Sequence, residues 1–154
     1  MPHFIVEYTS NIKETARIAE LLKKANGILI AQGGLFPTGG IRSRAIELTD
    51  YAIADGSADQ AAFVHATLKI GFGRGEDEKR KVGNELFEMM KAHFASLFVS
   101  RYFALSMELS EFSEAGTWKQ NNMHNLFKAA RSDAAGTTPS GNVQADVRKM
   151  GAPS

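Results

Sequence analysis

The 154-residue sequence contains no cysteine, which excludes disulfides, thiolate zinc sites and cysteine nucleophiles together. It also lacks a surplus of charge. Its 18 Lys and Arg stand against 17 Asp and Glu, a formal net charge of +1, and no run of like charge is long enough to form a basic arm. Nothing in that balance draws nucleic acid or an anionic membrane to the chain as a whole. No stretch approaches the roughly 18 consecutive apolar residues of a membrane span, and Met1 to Glu7 carries neither a basic leader nor an apolar core of signal-peptide length. There is no Asn-x-Ser/Thr sequon. The expectation is a cytoplasmic protein with neither nucleic acid nor membrane as a partner.

What is present is a 44% hydrophobic chain, enough for one soluble domain with a core of its own. Residues 129–154 are rich in Ala, Gly, Ser, Thr and Pro, with Val143, Val147 and Met150 as isolated large apolar residues. Such a segment buries too little to offset its ordering entropy, and a disordered tail is expected there. Residues 1–128 are expected to form a single domain made of two similar halves, about 2–60 and 61–128.

In the first half, Phe4 to Tyr8 reads as a strand. A helix is expected from Ile12 to about Ala31, with Ile12, Ala16, Ala19 and Leu22 on its apolar stripe. Ser10 or Asn11 can cap its start and Gly33-Gly34 its end. Ile41 to Leu48 alternates as a second strand. The second half repeats the scheme, with a strand from Phe63 to Ile70, a glycine-rich turn, a helix from Glu76 to Phe98 and a strand from Tyr102 to Leu109. The stripe Val82, Leu86, Met89, Phe94 and Leu97 marks that helix, and Glu76-Asp77-Glu78 favour its N-terminus through the helix dipole.

Each unit is a right-handed crossover, so both helices fall on one face of a four-stranded α+β sheet. The opposite face is left open. It is expected to include the small residues Ala104 and Ser106 and to meet another copy of the chain.

Three features carry candidate chemistry, each with a structural alternative. Pro2 becomes a secondary amine if Met1 is excised, and an α-amino group titrates near ~7.7–8.0, far below lysine. The alternative is a proline that only stiffens a strand start. Arg42 and Arg44 lie two apart on one strand and project from one face beside Ile46 and Leu48. They suit an anionic ligand, because guanidinium forks carboxylate, or they form ion pairs with Glu47 or Glu7. Gly71-Phe72-Gly73-Arg74-Gly75 joins a strand to a helix, where backbone amides and Arg74 can hold an anion. Glu76 stands where a dinucleotide fingerprint needs glycine, so a tight turn is the favoured reading. His3, His65, His93 and His124 have no metal-ligand spacing and read as packed or surface residues. No cofactor or metal is expected.

Taken in order, several segments carry a resemblance that none carries alone. They are Pro2-His3-Phe4-Ile5-Val6-Glu7, Gly40-Ile41-Arg42-Ser43-Arg44, Ala54-Asp55-Gly56, Phe63-Val64-His65, Thr67 to Gly71 with Gly73-Arg74, and Lys119-Gln120-Asn121-Asn122 with His124 and Leu126-Phe127-Lys128. Over Pro2 to Lys128 the chain resembles the tautomerase superfamily, and within it the 5-carboxymethyl-2-hydroxymuconate isomerase family. The resemblance implies a homotrimer of fused β-α-β units, with Pro2 as catalytic base and Arg42 holding a substrate carboxylate. It also implies that Arg74, with Arg44, completes the grip on a di- or tricarboxylate. The second half begins with Ala61 and Ala62, so one working site per chain is expected. The activity implied is a keto-enol isomerase of aromatic-compound catabolism. A related proline-based tautomerase, dehalogenase or decarboxylase, or a non-catalytic oligomer binding small carboxylates, are the alternatives.

Overall fold

The computed structural model describes residues 1–128; the expected tail, residues 129–154, lies outside the described residues. The chain runs through β1 (His3–Thr9), α1 (Ile18–Ile30), β2 (Arg42–Leu48), β3 (Ala62–Gly71), α2 (Glu76–His93), α3 (Ala95–Ser100) and β4 (Phe103–Phe112). Short 3-10 turns stand at Ser10–Ile12 and Thr38–Gly40. The sheet order is β2-β1-β3-β4. Within each half the strands pair in parallel, as a helical crossover requires, and β1 meets β3 antiparallel at the centre.

One face of this sheet holds the core. Phe4 and Val6 of β1 and Val64, Ala66 and Leu68 of β3 are fully buried and meet Leu21, Ala25 and Leu29 of α1 with Val82, Leu86 and Met90 of α2. Both helices therefore cover the same face, as two right-handed crossovers dictate. On the other face Ala104, Ser106 and Glu108 of β4 are exposed and Ile46 of β2 is 45% exposed. That face is the open one.

The first helix departs from the sequence pattern. It begins at Ile18 rather than Ile12, because Ser10–Ile12 closes a tight 3-10 turn and Arg17, at φ 47°, interrupts any helix through it. Ile12 and Ala16 are buried from this turn, and Ala19 is exposed. The stripe of α1 is Leu21, Ala25 and Leu29 instead. Neither Ser10 nor Asn11 caps it; the Asn11 side-chain amide donates to the Ala61 carbonyl at 2.8 Å and ties the link between the halves to the end of β1. The left-handed Arg17 is held by its Nη2, which donates to the His93 carbonyl at 2.7 Å. The Asn26-Gly27 pair does not break the helix, since Asn26 Oδ1 accepts from the Ser43 hydroxyl on β2.

The second helix also differs. Phe94, at φ −96° and ψ 11°, breaks the expected Glu76–Phe98 stretch into α2 and α3. Met90 rather than Met89 reaches full burial, and His93 joins it at 4% exposure. His93 is a packed residue, its Nε2 donating to the Ala16 carbonyl at 2.8 Å. Burial foremost holds its basicity below the ordinary histidine value, and Arg17 and Lys24 act in the same direction. The acidic first turn of α2 is as expected, with Glu78 accepting from the Gly75 amide at 2.9 Å.

Candidate active site

The parallel pairing of β1 with β2 puts Arg42 beside the start of the chain: its backbone amide donates to the Pro2 carbonyl at 3.0 Å. Pro2 itself is buried just before β1, an inner strand of the sheet. After β4, the chain returns across this point. Asn121 Nδ2 donates to the Gly39 carbonyl at 2.9 Å, and the His124 backbone comes so near Gly39 that a Cβ there would lie 2.9 Å from it. Glycine is required by this close approach. The result is a strap, residues 113–128, laid over the amino terminus.

Two pockets flank Met1. The larger, about 360 Å³, is lined by Gly40, Gly71, Arg74, Phe112, Lys119 and His124 among others. The smaller, about 240 Å³, opens toward His3, Arg44, Lys69, Thr117 and Lys119. Met1, Phe112 and Lys119 line both.

The glycine-rich turn delivers Arg74 to the larger pocket. Its Nη1 donates to the Gly71 carbonyl at 2.9 Å and its Nη2 to the Leu35 carbonyl at 3.1 Å, while its guanidinium carbon lies 4.9 Å from the Phe36 ring centroid. Its Nε is buried without a hydrogen-bond partner. The loop is a tight turn, with Gly73 at φ 112°, and it sets Arg74 at the pocket wall. Arg42 Nη1 donates to the Gly39 and Ile41 carbonyls at 3.0 and 2.8 Å. Arg44 Nη1 donates to His3 Nδ1 at 3.2 Å.

Among the described residues, no carboxylate lies within ion-pair distance of Arg42, Arg44 or Arg74, and Glu47, one of the two acids named as their partners, is engaged by Lys13 at 3.0 Å. The ion-pair alternative for the β2 arginines is thus overturned. Three guanidiniums lie near the amino terminus without an ion-paired carboxylate among the described residues, Glu114 being the one acid that lines the larger pocket, an arrangement suited to an anionic ligand.

The amine responds to the same field. Burial foremost, then the positive charges of Lys119 and Arg74, hold the Met1 ammonium below the ordinary amino-terminal value, with Glu114 opposing and Arg42 assisting. An amine so placed gives up its proton more readily than an ordinary amino terminus.

The structure brings Pro2, Arg42, Arg44 and Arg74 to one region, and it adds Lys69, Phe112 and Lys119, which sequence reasoning did not single out as site residues. The signal for Lys119 was present in the Lys119-Gln120-Asn121-Asn122 segment. Lys69 and Phe112 carry no local motif; only strand register reveals them.

The family model described as 5-carboxymethyl-2-hydroxymuconate isomerase matches residues 2–127. The chain is similar to a 5-carboxymethyl-2-hydroxymuconate Delta-isomerase of Escherichia coli, with 48% identity over 128 residues, covering 83% of this chain and 100% of that protein. Among solved structures it is similar to a 5-carboxymethyl-2-hydroxymuconate isomerase from Deinococcus radiodurans R1, at 52% identity and a TM-score of 0.79, covering 82% of this chain and 93% of that one. A fused 4-OT wild-type symmetric trimer shares the fold at a TM-score of 0.53 and 16% identity, covering 77% and 93% of the two chains.

Proposed function

The chain belongs to the 5-carboxymethyl-2-hydroxymuconate isomerase family and is an isomerase, and from that premise we propose that it interconverts the dienol and ketone forms of 5-carboxymethyl-2-hydroxymuconate through the nitrogen of Pro2. Excision of Met1 turns that nitrogen from an amide into a secondary amine. The observation that carries this reading is a half-buried amino terminus of lowered basicity, beside arginines that have no ion-paired carboxylate among the described residues.

In the proposed reaction the Pro2 nitrogen takes the proton of the 2-hydroxyl group. The O–H pair closes the C2=O bond, the C2=C3 pair moves to C3=C4, and the C4=C5 pair accepts the proton at C5. Proton count and charge balance without cofactor or metal. A base works best with a pKa near the working pH, which is what burial and cationic neighbours supply here. Arg42, adjacent to Pro2, holds a carboxylate and stabilises negative charge spreading over the conjugated system. Arg74 and Arg44 hold the remaining carboxylates.

We further propose a cytoplasmic homotrimer working in aromatic-compound catabolism. The open face, with its small residues on β4, supports self-association, and fused trimers share the fold. Among the described residues no helix is long and apolar enough to cross a membrane.

The test joins mass spectrometry of the purified protein to an absorbance assay of dienol consumption. A mass lacking Met1, turnover of the dienol and its collapse in Pro2→Ala are expected. Active protein with Met1 intact overturns the mechanism, and light scattering at the mass of a monomer overturns the assembly.

A further inference from the structure

The smaller pocket lies on the open face of the sheet, beyond the proline, and register explains its charge. Across the strands, Arg42 of β2, His3 of β1 and Lys69 of β3 stand in one row. Arg44 follows two residues along β2 on the same face, and Lys119 of the strap closes the row from above.

Like charges side by side on one sheet face are destabilising. Among the described residues no ion pair offsets Arg42, Arg44 or Lys69. No carboxylate lines the pocket, and neither Arg44 nor Lys69 has an acidic partner among the described residues; Lys119 reaches Glu114 at 3.5 Å on the far side. Arg44 donates to a His3 ring kept neutral by burial and by the adjacent cations. An unneutralised cationic pocket held open beside a reactive centre fits an anion that arrives with the substrate.

Met1 is the partition between this pocket and the larger one that Arg74 lines. Its removal joins the two at the Pro2 nitrogen, with Phe112 as the common wall. A planar dienoate lying along Phe112 then has anion-holding groups at both ends.

Resting on the isomerase reading above, we infer that the pocket formed by His3, Arg44, Lys69 and Lys119 is the specificity subsite for the substrate's third carboxylate, the carboxymethyl branch. Arg42 serves the carboxylate beside the hydroxyl and Arg74 the remaining one. Lys69 selects for a tricarboxylate over a dicarboxylate dienol.

The experiment compares kcat/KM for 5-carboxymethyl-2-hydroxymuconate and for 2-hydroxymuconate, which lacks the branch, in wild type, Lys69→Gln and Lys69→Arg. Thermal melting verifies that the variants fold. The preference of wild type for the tricarboxylate is expected to fall about tenfold in Lys69→Gln, the scale of one charge-assisted contact, and to return in Lys69→Arg. A preference that stays within about twofold of wild type in a folded, active Lys69→Gln overturns the subsite and leaves the isomerase reading intact. Wild type inert on both dienols overturns that reading and the subsite with it.

Discussion

The β1 and β3 strands begin in the same way and lead to different ends. Each opens a β-α-β unit, pairs in parallel with the strand that closes it, and has a pocket near its start. Ahead of β1 stand Met1 and the buried Pro2, and the pocket walls carry Arg74 and Lys119 beside Glu114. At β3 the chain passes through Ala61 and Ala62. The pocket there, about 350 Å³, is lined by Ser10, Thr49, Tyr51 and Asp59 among others, with a carboxylate and no cation. Repetition supplies two hollows of similar size. Only one of them holds the amino terminus among cations that lower its basicity, so the proposed chemistry rests on the residues rather than on the fold.

The largest test of that contrast is Pro2→Ala, expected to lower kcat by about 10²–10⁴-fold, the range of a positioned general base, in the dienol absorbance assay. Near-normal turnover would move the chemistry elsewhere in the chain. Next comes Arg42→Ala, expected to cost about 10²–10³-fold in kcat, as for one group stabilising developing charge. Arg74→Ala is expected to raise KM by about 10-fold to 100-fold with a smaller change in kcat, since it removes charge-assisted contacts to a carboxylate; steady-state kinetics separates the two arginines, and exchanged signatures would reverse their roles.

A subtler effect concerns pH. On the proposed mechanism the free Pro2 amine is the active form, and the cations that lower the basicity of the Met1 amine are expected to favour it, so the acid limb of kcat/KM is expected below the ordinary amino-terminal range. Removing the positive charge in Lys119→Met makes protonation easier and shifts that limb to higher pH. A limb that stays in place or moves down contradicts the electrostatic role. The smallest effect is expected on the other side of the comparison: Asp59→Ala, in the pocket of the second half, leaves kcat/KM within about twofold of wild type.

Much of this was legible in the chain. The two halves showed through their period-2 strands and their apolar stripes, and the glycine-rich turn before Glu76 gave the start of α2 to the residue. The start of α1 was hidden, because Ile12 and Ala16 keep helical spacing while Arg17 adopts a left-handed conformation that only its contact with His93, 76 residues away, explains. Phe94 hid the break between α2 and α3 for a similar reason, being apolar on both sides of it. At the site, Pro2, Arg42, Arg44 and Arg74 could be picked out by residue type. Lys69 could not, since its meaning comes from standing opposite His3 across an antiparallel pair.

The strap over Gly39 has a consequence for biosynthesis. The pockets around Met1 are closed by residues far along the sequence, Asn121 and His124 of the strap. Once those residues close down, Met1 is half-buried between two pockets. On the proposed mechanism, Met1 is most open to removal before residues 113–128 close over it, and a folded chain that keeps Met1 keeps the Pro2 nitrogen as an amide.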